Sequence, residues 1–156
     1  MRNVRCFLGL VLILCLPACG GGGSTPTSVP TPTPTPAPVT TNIFSRPFSV
    51  AGAPSGIVVY GFQDVSVPNA GQVEVTFDYT FATSDIDLVV TTSSCTDYFA
   101  AYNSQCTVLG EDKGLPTPAK RARVTFQVTA ATTIRVWIYN FTSAAESGVL
   151  NVLLTR

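Results

Sequence analysis

The fold of this chain is decided by residues 73–81, which read VEVTFDYTF. Every odd-numbered residue in this stretch is apolar and every even-numbered one is polar. A β-strand turns successive side chains to opposite faces, so this alternation is typical of a strand with one face in a core and the other in water. The stretch therefore predicts a strand of an antiparallel sheet.

The same alternation recurs downstream and marks further strands. It is clear in three more runs, at residues 121–128, 134–138 and 150–154. Weaker strands are predicted for four less regular apolar runs, at residues 44–50, 57–67, 86–92 and 106–109. About eight short strands with one polar face each predict an all-β domain over residues 43–156, an antiparallel, jelly-roll-like β-sandwich.

One of the weaker strands departs from strict alternation. Between Phe62 and Val65 the apolar positions change phase. One extra residue in a strand moves all the following side chains to the opposite face. The sequence therefore predicts a β-bulge between these two residues.

The N-terminus has the pattern of an export signal. Arg2 and Arg5 precede an apolar run at residues 7–16. At a rise of about 1.5 Å per residue, a helix of this length spans roughly half of a bilayer core. A positive start followed by a short apolar run is typical of a secretory signal peptide, which we assign to residues 1–18.

The end of this signal resembles the bacterial lipobox. Leu16-Pro17-Ala18-Cys19 has an apolar residue three positions before a cysteine and a small residue directly before it. The resemblance implies transfer of a diacylglyceryl group to the Cys19 sulfur, cleavage before Cys19 and acylation of the new amino group. Several acyl chains (palmitate among them) at about 0.8 kcal/mol per buried CH₂ anchor a protein to a membrane.

Residues 19–42 are predicted to be a tether without a packed core. Four glycines follow Cys19 directly, and residues 25–41 read TPTSVPTPTPTPAPVTT, without charge or apolar periodicity. Proline favours polyproline II geometry, in which this run would extend roughly 50 Å at about 3.1 Å per residue. We expect a disordered, Pro/Thr-rich spacer rather than a PxxP recognition site.

The composition excludes several classes of function. Nine basic and nine acidic residues balance, which argues against a nucleic-acid-binding protein. The chain has no histidine, so a Ser-His-Asp triad, a Cys-His dyad and a His-ligated metal are not available to it. We therefore expect that the protein is not an enzyme.

The five cysteines fall into three groups. Cys6 and Cys15 lie in the signal peptide, and Cys19 is the lipidation site. The remaining two, Cys95 and Cys106, bracket a segment rich in Ser, Thr and Tyr. Export to an oxidising compartment predicts a structural disulfide between them.

The spacing of several segments resembles the bacterial pre-peptidase C-terminal domain, a β-sandwich appended to secreted peptidases. The segments that carry the resemblance are Val67-Pro68-Asn69-Ala70-Gly71, Asp85-Ile86-Asp87-Leu88-Val89-Val90, Ile134 to Tyr139, and Gly148 to Val152. The sequence departs from the family pattern at Val89 and Leu150, where a Tyr is usual. The family is similar to the collagen-binding domains of clostridial collagenases, so the resemblance implies binding of extracellular polymers, sometimes with calcium.

Two carboxylates two residues apart form a candidate site. Asp85 and Asp87 would project from one face of a strand, roughly 6.5–7 Å apart. We expect them to be solvated or turn-capping acids. Two alternatives stay open: a Ca²⁺ site, completed by backbone carbonyls and by Asp78, Glu111 or Asp112, and the acid–base pair of an inverting glycosidase.

Three aromatic residues form a second candidate site. Trp137, Tyr139 and Phe141 share the strand face opposite Ile134, Val136 and Ile138. If the aliphatic face points into the sandwich, the aromatic face is either an exposed binding surface or is covered by the Cys95–Cys106 segment with Tyr98, Phe99 and Tyr102. We favour the covered arrangement, because an open row of this size promotes aggregation.

These observations predict a lipid-anchored protein of the bacterial cell envelope that displays a non-catalytic β-sandwich binding or structural module. Gly20, rather than Asp, follows the lipidated cysteine. In a Gram-negative organism this resembles sorting to the outer membrane, with the domain in the periplasm or at the cell surface. The alternatives are a glycan- or protein-binding adhesin that uses the aromatic face, and a calcium-dependent accessory domain of a secreted peptidase system.

Overall fold

A computed structural model describes residues 35–54, 57–114 and 121–156. The predicted signal peptide, Cys19 and the tether up to residue 34 lie outside the described residues. The described ranges contain eight strands and one short helix: β1 (Thr40–Val50), β2 (Val59–Val67), β3 (Gly71–Tyr79), β4 (Ile86–Thr92), α1 (Tyr98–Tyr102), β5 (Val108–Asp112), β6 (Arg121–Val128), β7 (Thr132–Asn140) and β8 (Glu146–Thr155). No helix among these residues is long and apolar enough to span a membrane.

The described strands form two four-stranded antiparallel sheets. Sheet A has the order β1-β8-β3-β6, and sheet B has the order β2-β7-β4-β5. This is the strand order of a jelly roll. The predicted all-β antiparallel sandwich is confirmed, and each of the eight predicted strands is present.

The core lies between the inner faces of the two sheets and is built by the alternation that predicted the strands. In β3, Val73, Val75 and Phe77 are buried in this core, whereas Glu74 and Asp78 face outward and are partly exposed. The strand ends at Tyr79, two residues before the end of the predicted alternation. Ile134, Val136 and Ile138 of β7 fill the core from sheet B.

Strand β2 does not contain the predicted bulge. It pairs with β7 in an unbroken register from Val59–Asn140 to Val67–Thr132. The change of phase has another cause: Tyr60 and Phe62 are apolar but lie on the outer face with Asp64. The bulge prediction is wrong because it assumed that every apolar residue of β2 points into the core.

The first strand begins earlier than the predicted domain boundary at residue 43. Thr40 pairs with Thr155, and their hydroxyls are 2.8 Å apart. The ladder extends one step further, because the backbone groups of Val39 and Arg156 exchange hydrogen bonds of 2.8 and 3.0 Å. Two β-branched threonines without an intervening proline allow the strand to continue into the segment assigned to the tether.

Gly71, the last residue of the Val-Pro-x-x-Gly segment, occupies a position that favours glycine. Its φ is 152°, in a region that L side chains rarely adopt. A Cβ atom there would stand 2.5 Å from the carbonyl oxygen of Thr155. The turn from β2 to β3 therefore needs a residue without a side chain at this point.

A buried carboxylate holds the connection between β3 and β4. Glu146, at the start of β8, is 1% exposed. Its oxygens accept hydrogen bonds from the backbone N–H groups of Thr80 and Phe81, at 2.9 and 3.0 Å, and from the Ser84 hydroxyl at 2.7 Å. Three hydrogen-bond donors of the β3–β4 connection thus share the Glu146 carboxylate as their acceptor.

Replacing this carboxylate should destabilise the domain. Glu146→Ala would remove the acceptor of three hydrogen bonds, one of them from the buried Ser84 hydroxyl, and we expect the free energy of unfolding to fall by about 2–3 kcal/mol. Urea unfolding followed by Trp137 fluorescence would measure this. As a control, Glu111→Ala removes an exposed ion-pair partner of Lys113 and should change stability by less than about 1 kcal/mol. Equal losses in the two variants would contradict this account of Glu146.

Candidate ligand-binding site

Strand β7 turns two large aromatic residues away from the core. Trp137 and Tyr139 lie on the outer face of sheet B and form a second cluster with Val89, Cys95 and Ala101. Trp137 is 1% exposed and Tyr139 is 0% exposed. The covered arrangement is therefore observed for these two residues, whereas Phe141, the third residue of the predicted row, is 39% exposed.

The cover is the segment that connects β4 to β5. A disulfide joins Cys95 to Cys106, as predicted. Between them, Asp97 caps the N-terminus of helix α1 by accepting a hydrogen bond of 2.8 Å from the backbone N–H of Ala100. The small side chain of Ala101 is buried against the cluster, which brings the helix close to the sheet.

Hydrogen bonds satisfy the polar atoms of the two covered rings. The indole Nε1 of Trp137 donates to the Thr91 hydroxyl at 3.0 Å, and the Tyr139 hydroxyl donates to the carbonyl oxygen of Tyr98 at 2.7 Å. Burial raises the pKa of Tyr139, which keeps its hydroxyl protonated as a donor. The second contact ties the first residue of α1 to sheet B.

Arg135 holds the start of the covering segment, at Cys95. Its guanidinium forms two hydrogen bonds with the Asp64 carboxylate, at 2.7 and 2.8 Å, and a third with the carbonyl oxygen of Cys95 at 2.9 Å. The group also stands 4.5 Å from the centroid of the Phe62 ring. The hydrogen bond from Arg135 lowers the pKa of Asp64, so this pair stays charged across the neutral range.

A second layer of aromatic residues lies over the covered ones and is exposed. Tyr60 stacks on Tyr98, with ring centroids 4.2 Å apart and an angle of 9° between the planes. Phe62 packs on Trp137 at 5.3 Å. The exposed rings of this surface are Tyr60, Phe62, Tyr98, Phe99 and Phe141. The sequence analysis missed Tyr60 and Phe62, although the phase change in β2 was the signal for them.

An apolar cavity of about 240 Å³ opens beside this layer. Residues of β7, α1 and the chain before β2 line it: Val58, Tyr98, Phe99, Tyr102, Asn103, Tyr139 and Phe141. Aromatic rings thus form most of its wall, and the Asn103 side chain adds polar atoms. Its shape and lining are typical of a site for a small ligand group.

A polar cavity of about 190 Å³ lies next to the apolar one. Its lining consists of Asp85, Asp87, Tyr102, Lys113, Gly114 and Phe141. Because Tyr102 and Phe141 line both cavities, the two are neighbours. We call the pair of cavities the aromatic groove. The structure thus brings Asp85 and Asp87 together with Phe141, while Trp137 lies beneath the surface.

Phe141 is held in the groove by its neighbour Asn140. The buried Asn140 side chain donates to the carbonyl oxygens of Ala51 and Ala144, at 3.0 and 2.8 Å. Its carbonyl oxygen accepts hydrogen bonds from the backbone N–H and the hydroxyl of Thr142. These bonds fix the turn after β7, which carries Phe141.

Asp87 has an unusual electrostatic environment. Helix α1 covers it, and burial raises the pKa of its carboxyl from 3.8 to about 6. The Tyr102 hydroxyl donates a hydrogen bond of 2.8 Å to the carboxylate and partly offsets this effect. Burial and the same hydrogen bond raise the pKa of Tyr102 to about 12. Tyr102 therefore acts as a fixed donor.

The carboxylates considered as further calcium ligands are engaged elsewhere. Asp78 pairs with Arg121 on sheet A, and Glu111 pairs with Lys113. Asp112 accepts a hydrogen bond of 2.8 Å from the backbone N–H of Arg123. Among the described residues no group of three or more His, Cys, Asp or Glu side chains is placed to hold a metal ion. Asp87 is 4% exposed and so is not the solvated acid that was expected, and calcium binding at Asp85 and Asp87 stays an untested alternative.

Another cavity, of about 290 Å³, lies near the turn between β6 and β7. It is lined by Thr92, Leu109 and residues 127–132, none of which is charged or aromatic. This lining offers little for specific recognition, so the aromatic groove is the better candidate site.

Comparison with known proteins adds little about the ligand. No protein-family model and no curated protein match the sequence. Among solved structures, the chain is similar to a carbohydrate-binding module (CBM6cm-2) from Cellvibrio mixtus lichenase 5A in complex with cellotriose, with 10% identity and a TM-score of 0.38. The match covers 74% of this chain and 95% of that module. Likeness at this level carries no functional argument, and the resemblance to the pre-peptidase C-terminal family stays a prediction.

The raised pKa of Asp87 predicts a pH-dependent stability. The folded protein binds this proton more tightly than the unfolded chain does, so the stabilisation is present at low pH and is lost as the pH rises from 3.8 to about 6. Asp87→Asn keeps an acceptor for Tyr102 but cannot ionise. Between about pH 4 and pH 7, we expect the free energy of unfolding of the wild type to fall relative to this variant by on the order of 2 kcal/mol.

Urea unfolding at a series of pH values would measure this difference. Gln127→Ala removes an exposed side chain that does not ionise and serves as the control, for which the difference from wild type should vary little with pH. A difference between wild type and Asp87→Asn that stays constant with pH would show that burial does not perturb Asp87.

Proposed function

We propose that this protein is a non-catalytic binding module that takes a carbohydrate chain in the aromatic groove and is held at the bacterial cell envelope by a lipid on Cys19. The observation that carries the proposal is the layer of exposed rings beside the groove, of which Tyr98, Phe99 and Phe141 form part of its lining. Monomeric proteins rarely expose contiguous apolar patches without a binding role.

The chemistry of the groove fits a sugar. Flat aromatic rings pack against the apolar C–H faces of pyranose rings, and nearby polar groups are available for the hydroxyls. Asn103 and Asp85 supply such groups at the two ends of the groove. The rings are fixed before binding, since Tyr98 is stacked on Tyr60 and α1 is held by the disulfide. Pre-organised rings lose little entropy when a ligand binds.

The residue types in the chain and in the groove support a non-catalytic role. The chain contains no histidine for general acid–base catalysis. The Asp87 carboxylate lines the groove, but its hydrogen-bond partner, the Tyr102 hydroxyl, has a raised pKa and is a poor proton donor to a substrate. Binding therefore accounts for the groove better than catalysis does.

The position of the strand ends is compatible with display from a tether. Thr40 pairs with Thr155, which in turn pairs with Gln72 next to the β2–β3 turn. The groove lies at the other end of β2, where Tyr60 pairs with Tyr139. A connection that enters the sandwich at Thr40 thus approaches from the end opposite the groove.

Truncating one exposed ring should weaken binding. In a panel of peptidoglycan, cellulose and collagen fragments, we expect a saccharide to change the fluorescence of Trp137, which lies beneath the groove. Phe99→Ala should then raise the dissociation constant by about tenfold, or 1.4 kcal/mol, because a stacking face is lost. Phe81→Ala removes a phenylalanine of similar exposure that does not line the groove, and should leave it unchanged within about twofold.

Two results would contradict the binding proposal. One is equal weakening in Phe99→Ala and Phe81→Ala, because it would place the ligand outside the groove. The other is the absence of binding to every saccharide in the panel. Binding to collagen fragments alone would favour the alternative of a protein-binding accessory domain.

Lipid attachment is tested separately. In a bacterial host fed an alkyne-labelled fatty acid, we expect the wild-type chain to become labelled and to sediment with membranes. Cys19→Ala should abolish the label, because it removes the acceptor sulfur. Cys15→Ala alters a cysteine of the apolar run and should keep the label. Labelling that persists in Cys19→Ala would overturn the lipobox assignment.

A further inference from the structure

We propose that the carbohydrate bound in the aromatic groove carries free ammonium groups, as a polymer of de-N-acetylated hexosamine does. This inference rests on the proposed function and specifies its ligand. It is drawn from the way the groove combines carboxylates with aromatic faces at its polar end.

The first observation is the charge of the polar cavity. Asp85 and Asp87 both line it, and in the described part of the chain neither takes part in an ion pair with a Lys or Arg. Asp87 is only 4% exposed. A buried carboxylate without a cationic partner is costly when charged, so a ligand that brings a cation gains more from it than a neutral ligand does.

The second observation is that the lining of the polar cavity already includes one ammonium group, that of Lys113. The Nζ atom of Lys113 lies 4.6 Å from the centroid of the Tyr102 ring and donates a hydrogen bond of 2.5 Å to the carbonyl oxygen of Tyr102. The charge of Lys113 is matched by Glu111, whose carboxylate is 2.7 Å away. The Lys113 charge is shared between Glu111 and Asp87, while Asp85 and Asp112 repel the Asp87 carboxylate, so the wall of the polar cavity stays net negative for a ligand.

The third observation is the arrangement of the aromatic faces. Tyr102 contacts the Phe141 ring at a centroid distance of 5.6 Å and the Tyr139 ring at 4.9 Å. Aromatic faces attract ammonium groups, most strongly where water is excluded. Tyr102 and Phe141 line both cavities, so a sugar ring packed in the apolar cavity lies next to the carboxylates of the polar one.

These features together distinguish between amino sugars. A free amine is charged and gains from Asp85, Asp87 and the ring of Tyr102. An N-acetylated amine is neutral and bulkier, and it leaves the Asp87 carboxylate without a cation. A glucan without nitrogen is limited to stacking and hydroxyl contacts. The groove should therefore prefer the de-acetylated polymer over both.

The test compares three oligosaccharides of equal length with the full-length protein: a glucosamine oligomer, an N-acetylglucosamine oligomer and a cello-oligosaccharide. Binding is measured by calorimetry near pH 7, at which the Asp87 carboxyl is ionised and part of the sugar amines still carry a charge. We expect the glucosamine oligomer to bind at least about tenfold more tightly than the other two. Added salt should weaken this preference, because it screens the charges.

Two variants test whether the preference for the glucosamine oligomer arises in the polar cavity. Asp87→Asn keeps the acceptor for the Tyr102 hydroxyl, and it should reduce the preference for the glucosamine oligomer by about tenfold. Glu74→Gln removes the same charge from sheet A, where Glu74 pairs with Arg123, and it should leave the preference intact. Trp137 fluorescence confirms that both variants are folded.

The possible outcomes separate this inference from the proposed function. If the N-acetylated or the neutral oligomer binds as tightly as the glucosamine oligomer, the ammonium preference is wrong and carbohydrate binding stands. If no oligosaccharide binds, the proposed function fails as well. Binding of a lysine-rich peptide without binding of any saccharide would also overturn the inference and would identify a protein ligand. An equal loss of preference in Glu74→Gln would place the charge effect outside the groove.

Discussion

The features of this protein that bear on function depend on one geometric constraint, the alternation of side chains in strand β7. Its aliphatic residues fill the core between the sheets, so Trp137 and Tyr139 must point away from that core. Two rings of this size on the outer face of sheet B must be shielded from water by another part of the chain. The disulfide-bonded segment with α1 provides this cover, and the hydrogen bonds of Arg135 and Tyr139 hold that segment in place. Rings at the edge of this cover stay exposed and line the groove.

The parts of the fold that follow from local patterns were predictable from the sequence. The alternation in β3 and β6 identified the strands and their inner faces, and the predicted export to an oxidising compartment indicated the disulfide between Cys95 and Cys106. Strand β2 shows the limit of this reasoning. Tyr60 and Phe62 are apolar residues on an outer face, and only the contacts with Trp137 and Tyr98 show why they are there. Helix α1 has five residues, too few to produce a recognisable helical periodicity.

The candidate site depends even more on distant contacts. Asp85 and Asp87 were predictable as neighbours, but the burial of Asp87 arises from a helix that begins eleven residues later in the chain. The partner of the Glu146 carboxylate is a turn more than sixty residues away in sequence. Such contacts produce no periodic pattern in the sequence, because each involves a single side chain. A sequence pattern indicates where residues share a face, and the tertiary fold decides which of those faces are covered.

The pairing of β1 with β8 has a mechanical consequence. Ten residue pairs join the two strands, from Thr40–Thr155 to Val50–Glu146. A force that pulls on the chain before Thr40 while the α1 end of the sandwich is held acts along the axis of β1. Such a force loads the hydrogen bonds of this ladder in shear, so many of them must break together rather than one after another. Strand β1 is therefore suited to carry tension between the chain before Thr40 and a ligand held at the opposite end of the sandwich.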